Sequence, residues 1–224
     1  MRLTAPDTAQ FAAHAATPDR ANGRGVVILP DVRGLHAFYK ELAAHFARAG
    51  FHAVAIDYFG RTADTDRRDE TFDHVTHVDK MAPQTLALDV RAALDHLRSA
   101  EPAPRALFTV GFCFGGANSW RQSAEGHGLT GAIGFYGGRP LARVGPVIPQ
   151  MQAPLLMLLA GVDSTPPEEF AEFARLVRAQ GVEVESHTYP GAPHSFFDRS
   201  YAEHQDACAD AWMRILDFTR RLSP

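Results

Sequence analysis

Cys113 stands inside Gly111-Phe112-Cys113-Phe114-Gly115-Gly116. Cysteine is a potent nucleophile once ionised, so its surroundings decide whether it is reactive or merely packed. Five strand-type residues, Ala106 to Val110, run straight into the segment, and a helix-compatible stretch, Ala117 to Glu125, follows. This is the layout of a nucleophile elbow, G-x-S-x-G, with cysteine in the place of serine. A nucleophile at the tip of a tight strand-to-helix turn takes a strained backbone. Side chains two positions before or after it would meet the neighbouring strand and helix, which accounts for the glycines. The same turn sets the sulfur at the positive end of a helix, favouring thiolate over thiol.

A thiolate needs a base, and the base needs an orienting acid. In elbow enzymes the chain order is nucleophile, acid, histidine. Leu155 to Leu159 is an apolar run ending in Ala160-Gly161-Val162-Asp163, which sets a carboxylate after a strand. Glu183 to Tyr189 ends in Pro190-Gly191-Ala192-Pro193-His194-Ser195-Phe196, which sets an imidazole before the last helix. Plainer readings stand beside these. Cysteine is often a small buried hydrophobe, as we read Cys208 on the stripe of Ala211, Ile215 and Leu222. Asp163 could cap the helix beginning near Pro166. Among eleven histidines, His194 is distinguished by its position; His36, His74 and His77 either line a pocket or are solvated loop residues.

The elements that must hold these residues alternate. Strands are expected at Gly25 to Pro30, Phe51 to Asp57, Arg105 to Val110, Gly131 to Tyr136, Pro154 to Ala160 and Val182 to Tyr189. Helices are expected at Leu35 to Ala49, Pro83 to Ser99, Ala117 to Glu125, Glu168 to Ala179 and Tyr201 to Leu222. Gly50 is placed to end its helix. Such alternation predicts an α/β domain with a mostly parallel central sheet and helices on both faces. No linker or repeat interrupts it, so residues 1–224 read as a single domain. Between Tyr58 and Ala82 the chain is polar and unpatterned, with Asp64, Asp66, Arg67, Arg68, Asp69 and Glu70 close together. It is either a rim over the site or a solvated excursion.

From about Gly25 to the C-terminus the chain resembles the dienelactone hydrolase family of the α/β-hydrolase fold. The resemblance rests on G-F-C-F-G-G at 111–116, A-G-V-D at 160–163 and P-G-A-P-H-S-F at 190–196, with their spacings. Leu29-Pro30-Asp31-Val32-Arg33-Gly34-Leu35 is similar to the family's loop after an early strand. The resemblance implies a Cys113–Asp163–His194 triad and an oxyanion hole made by the backbone N–H groups of Val32 and Phe114. It sets Asp31 where well-known members carry a glutamate that controls the nucleophile's ionisation; capping the next helix is the alternative. Those members grip a substrate carboxylate with arginines, one of them four residues after the histidine. Here that position is Asp198, with Arg199 next to it. Arg33, Arg199 and Tyr136 are the candidates for substrate contact, with Arg67 and Arg68 behind them, and Tyr136 reads equally as a core aromatic. The implied activity is hydrolysis of a carboxylic ester or lactone through a cysteine acyl-enzyme. A thiol-sensing or ligand-binding protein on the same fold is the alternative, as is acyl transfer to an acceptor other than water.

Composition narrows the field. The apolar fraction of 46% and charged fraction of 21% are those of a globular protein. A net charge of −4 without a basic block argues against a nucleic-acid partner, and no apolar run approaches a membrane span. The segment from Met1 to Thr17 lacks the apolar core of a secretory signal. Two cysteines make no disulfide framework, so a reducing cytoplasm is expected. No zinc-spaced ligand cluster, G-x-G-x-x-G or P-loop calls for a metal or organic cofactor. The expected partner is a small-molecule substrate, and the expected state a monomer or small homo-oligomer.

Overall fold

The computed structural model describes residues 1–69 and 71–224; Glu70, named above in the polar stretch, lies outside the described residues. By packing, the chain divides into two compact units, Met1–Leu107 and Phe108–Pro224.

In the first unit come β1 (Arg2–Thr4), β2 (Gln10–Ala16), β3 (Arg24–Leu29), α1 (Ala37–Arg48), β4 (His52–Ile56), a 3-10 turn at Tyr58–Arg61, α2 (His74–Val78) and α3 (Pro83–Arg98). The strand order is β1-β2-β4-β3. β3 and β4 run parallel, Val27 opposite Val54, while β1–β2 and β2–β4 are antiparallel. β1 and β2 were not expected. Gln-Phe-Ala-Ala-His-Ala-Ala is rich in the best helix former, and pairing with β4 overrides that preference. α1 ends as expected. Gly50 takes φ +92° and donates to Ala47 O at 2.9 Å, and Phe51 donates to Phe46 O at 3.1 Å, a Schellman motif. Its buried face carries Tyr39, Leu42, Ala43 and Phe46, whereas Phe38 is only half-buried. α3 buries Leu86, Val90, Ala93, Leu94 and Leu97, and also Asp89.

The polar stretch after Tyr58 is pinned down. Arg68 pairs with Asp57 at 2.7 Å, both side chains fully buried, and its guanidinium lies 4.2 Å from the centre of the Phe72 ring. His77 stacks on Phe72 and bonds Thr62 Oγ1 at 2.8 Å. Arg61 bridges Asp7 and the buried Asp89 at 2.7 and 2.8 Å, tying the β1–β2 turn to α3.

Elements of the second unit are β5 (Ala106–Phe112), which begins two residues ahead of it, α4 (Phe114–Gln122), β6 (Gly131–Phe135), α5 (Pro140–Arg143), a 3-10 turn at Gly145–Gln150, β7 (Leu155–Val162), α6 (Pro167–Arg178), β8 (Val184–Pro193), a 3-10 turn at Tyr201–Glu203 and α7 (Gln205–Leu222). The order is β5-β6-β7-β8, all parallel. β5, β6 and most of β7 are buried along their length, as strands covered on both faces must be. Trp120 fills the space between α4 and α6, stacking beside Phe173 and donating its indole N–H to Leu156 O at 3.2 Å. α4 starts three residues earlier than expected, and β8 runs four residues further. Among the described residues no helix is long and apolar enough to cross a membrane.

The turn from β5 into α4 leaves no room for side chains. A Cβ on Gly111 would lie 1.9 Å from the carbonyl oxygen of Gly115. Backbone cannot swing aside as a long side chain can, so Gly111→Ala is expected to cost about 4 kcal/mol and to lower the melting temperature by roughly 10 °C. A variant melting within about 2 °C of wild type would show that the turn is not closed in this way.

Candidate active site

Cys113 occupies the single residue between β5 and α4. Its φ of +55° and ψ of −113° lie outside the regions ordinary residues prefer. The strain is held by bonds on both sides: Cys113 N–H donates to Phe135 O at 3.0 Å, and Gly116 N–H donates to Cys113 O at 3.0 Å. The side chain is half-buried, at the N-terminus of a nine-residue helix. Phe114 opens that helix, and its ring lies 5.5 Å from the Arg143 guanidinium.

Asp163 follows β7 directly. Its carboxylate is almost fully buried and accepts from His194 Nδ1 at 2.7 Å, Thr165 N–H at 3.1 Å and Ser164 Oγ at 3.4 Å. Burial pushes its carboxyl pKa up, but the His194 and Thr165 hydrogen bonds outweigh that and hold it below the usual carboxylate range. The helix-cap reading does not apply: Asp163 bonds the N–H of Thr165, two residues on, while Pro166 precedes α6 without a side-chain cap. Ser164 and Thr165 were not singled out from the sequence. The signal was there, since hydroxyl residues directly after an Asp favour such a turn.

His194 follows β8, with its N–H donating to Val162 O at 3.1 Å. Its ring bonds Asp163 through Nδ1, and Cys113 is the other group that acts on its charge. With Nδ1 on Asp163, Nε2 is the nitrogen left for the sulfur. Burial works against a charged ring, but the hydrogen bond to Asp163 and the electrostatic influence of Cys113 and Asp163 prevail, raising its pKa to about 10. Of the three residues that the sequence separates by 50 and 31 positions, Asp163 and His194 are joined by a hydrogen bond, and Cys113 acts on the His194 ring electrostatically. Tyr136, fully buried, has its ring centre 4.8 Å from that of His194.

The remaining expected site residues fall as follows. Val32 lies in the turn Asp31 to Gly34, closed by Gly34 N–H donating to Asp31 O at 3.1 Å. The Asp31 carboxylate is buried and accepts from Arg33 Nε at 2.9 Å and Nη2 at 2.7 Å. Arg33 is thus laid on Asp31. Asp31 N–H donates to the Tyr39 hydroxyl, and Tyr58 OH donates to the carbonyls of Pro30 and Asp31. Arg199 is exposed, Arg68 is spent on Asp57, and Arg67 pairs with Asp69 at the surface. His77 is a packing residue against Phe72. A cavity of about 310 Å³ in the second unit is walled by Asp163, Leu159, Thr165, Phe170, Ala174 and Arg178, among others. It lies behind the acid; neither Cys113 nor His194 lines it. Among the described residues no group of three or more His, Cys, Asp or Glu is arranged to hold a metal ion.

Residues 11–223 match the model of the dienelactone hydrolase family. A protein of Yersinia pestis provisionally named carboxymethylenebutenolidase is 27% identical over 227 residues, covering 93% of this chain and 83% of its own. A crystal structure of a provisionally named dienelactone hydrolase from Klebsiella pneumoniae superposes with a TM-score of 0.78 at 25% identity, covering 97% of each chain. A dienelactone hydrolase-like promiscuous phosphotriesterase from metagenomic libraries superposes with a TM-score of 0.79 at 23% identity, covering 100% and 98%. The neighbours share the α/β-hydrolase fold with its mostly parallel sheet. A family model spanning nearly the whole sequence, joined to this geometry, leads to one conclusion: the chain belongs to the dienelactone hydrolase family, a family of hydrolases.

Proposed function

We propose that this protein hydrolyses a carboxylic ester or lactone through a Cys113 acyl-enzyme. The observation that carries the reading is the 2.7 Å His194–Asp163 hydrogen bond, with Cys113 held at positive φ at the head of α4 and acting on the same imidazole. Cys113 sulfur attacks the carbonyl carbon, and His194 holds the thiol proton. When the tetrahedral intermediate collapses, the carbon–oxygen bond breaks and that proton goes to the leaving alkoxide. Water then attacks the thioester. His194 takes its proton and returns it to the sulfur as the acid departs; a lactone yields one hydroxy acid, an ester an acid and an alcohol. Asp163 keeps the Nδ1 proton in place and balances the imidazolium. The Phe114 N–H is the proposed oxyanion donor at the start of α4. The N–H of Val32 is the second donor, and Asp31 the residue controlling the nucleophile, that kinship with the family suggests. We read residues 1–224 as one functional domain, monomeric or a small homo-oligomer. The unpaired thiols Cys113 and Cys208 suit a reducing cytoplasm.

Stoichiometric iodoacetamide should abolish hydrolysis of a chromogenic ester and label Cys113. Cys208 should be spared, since it is buried and its thiol is pushed up to about 11 by burial. Full activity in Cys113→Ala would end the mechanism. Asp163→Asn should lower kcat by about 10²-fold or more with little change in melting temperature. Loss of folding with undiminished specific activity in the folded fraction would make Asp163 purely structural.

The raised His194 pKa also predicts a pH-dependent stability. The folded ring holds its proton more tightly than the unfolded ring, whose ordinary value is 6.5. The resulting stabilisation is complete below that value and is lost as pH rises through about 10. Urea unfolding across pH 6 to 10 should show a decline that His194→Gln flattens; equal slopes in both proteins would contradict it.

Substrate choice should differ from that of dienelactone-cleaving members. Arg33 is already matched by Asp31, and Asp198 stands where those members have a cation. A substrate carboxylate would meet no ready bidentate clamp. A neutral short-chain aryl ester should therefore show the higher kcat/KM. A preference for dienelactone that vanishes in Arg199→Ala would overturn this.

A further inference from the structure

Tyr136 closes β6 in a conformation that few side chains tolerate. Its φ is +36°, and the residue is not glycine. Strain of this kind persists only where the surroundings dictate it. They do so from three directions. The N–H of Tyr136 donates to Leu158 O at 2.8 Å, continuing the β6–β7 ladder. The preceding carbonyl, Phe135 O, accepts the N–H of Cys113 at 3.0 Å. The ring is locked among Phe135, Phe196 and Phe112, with centres 5.8, 5.6 and 6.4 Å away.

His194 adds a polar ring to that cluster, 4.8 Å from Tyr136 and inclined at 54°. Tyr136 thus touches both ends of the candidate chemistry. Its backbone neighbour is bonded to the elbow that carries Cys113, and its ring lies against the imidazole. Asp163 fixes His194 only through Nδ1, one hydrogen bond about which the ring could still tilt. A rigid aromatic surface against the imidazole removes that freedom and favours its protonated form, because a cation is attracted to an aromatic face.

We propose that Tyr136 is a positioning residue for His194: its ring sets the tilt of the imidazole relative to Cys113, and the strained backbone fixes where that ring stands. The role differs from the substrate contact expected of Tyr136 from the sequence, and it needs the ring and not the hydroxyl. It rests on the proposed thiol chemistry for its kinetic consequence, but its effect on His194 itself does not.

Among the described residues, Asp163, Cys113 and Tyr136 are titratable groups that face His194. Two readouts separate the possible roles. In Tyr136→Phe, kcat for a chromogenic ester should stay within about threefold of wild type. In Tyr136→Leu and Tyr136→Met it should fall about tenfold or more with KM little altered, the signature of a mispositioned base. Independently of activity, NMR titration should show the His194 ring losing its proton at lower pH in the Leu and Met variants than in Tyr136→Phe. Met is the fallback if Leu fails to fold, being unbranched and adaptable in cores. A rise in KM at constant kcat would make Tyr136 a pocket wall and overturn the proposal. So would a Phe variant as impaired as Leu, or a His194 titration that ignores the ring. If the wild type hydrolyses no ester, the ester reading fails by itself, and the NMR comparison still decides whether Tyr136 governs His194.

Discussion

The 2.7 Å hydrogen bond from His194 Nδ1 to Asp163 is the contact on which the candidate site of the second unit turns. It couples two loops that follow β7 and β8, and it fixes which imidazole nitrogen remains for the sulfur. A nearly buried carboxylate is costly unless its charge is answered. Here the answer comes from His194, Thr165 N–H and Ser164 at once. The carboxylate therefore stays ionised, and its charge raises the proton affinity of the histidine. Acid and base sustain each other's charge state, and each would titrate differently without the other.

Around that contact the backbone is under strain. Cys113, Tyr136 and Ser195 all take positive φ; the first two stand directly after strands and the third next to His194 in the chain. Each such residue costs about 1–3 kcal/mol. Parallel strands packed on both faces supply the rigidity that tolerates this. The Phe112, Phe135, Phe196 and Phe197 rings fill the space beneath, with Phe112 and Phe135 stacked at 4.7 Å. The candidate site is a set of kinked strand ends resting on an aromatic base.

Ion pairs do the corresponding work in the first unit. Asp57 directly follows β4, accepts the N–H group of Phe59, and is met by Arg68 returning from the polar stretch. Removing one partner of such a buried pair costs about 3–5 kcal/mol. That is enough to hold an otherwise unpatterned segment in one place. Arg61 does the same for Asp7 and Asp89. The Asp31–Arg33 pair neutralises the turn that contains Val32. Hydrogen bonds from Tyr58 and to Tyr39 hold the same turn by its backbone.

The amino-acid sequence alone determined the main strands and helices from Gly25 onward, though not the short helices α2 and α5, since continuous apolar runs and long helical stripes arise from local periodicity. It determined the elbow too, because only glycine at 111 permits the approach to Gly115, and that demand is written at fixed spacing around Cys113. The order of Cys113, Asp163 and His194 was legible for the same reason: each follows its strand directly. What the tertiary structure decided were matters of partnership. β1 and β2 exist through their ladders and not through propensity. Arg68 and Arg33, which looked available to a substrate, are taken by Asp57 and Asp31. Tyr136 could be a wall or a core residue until its ring was seen against His194. A guanidinium looks the same in any sequence, and which carboxylate it meets depends on chain segments brought together only by folding.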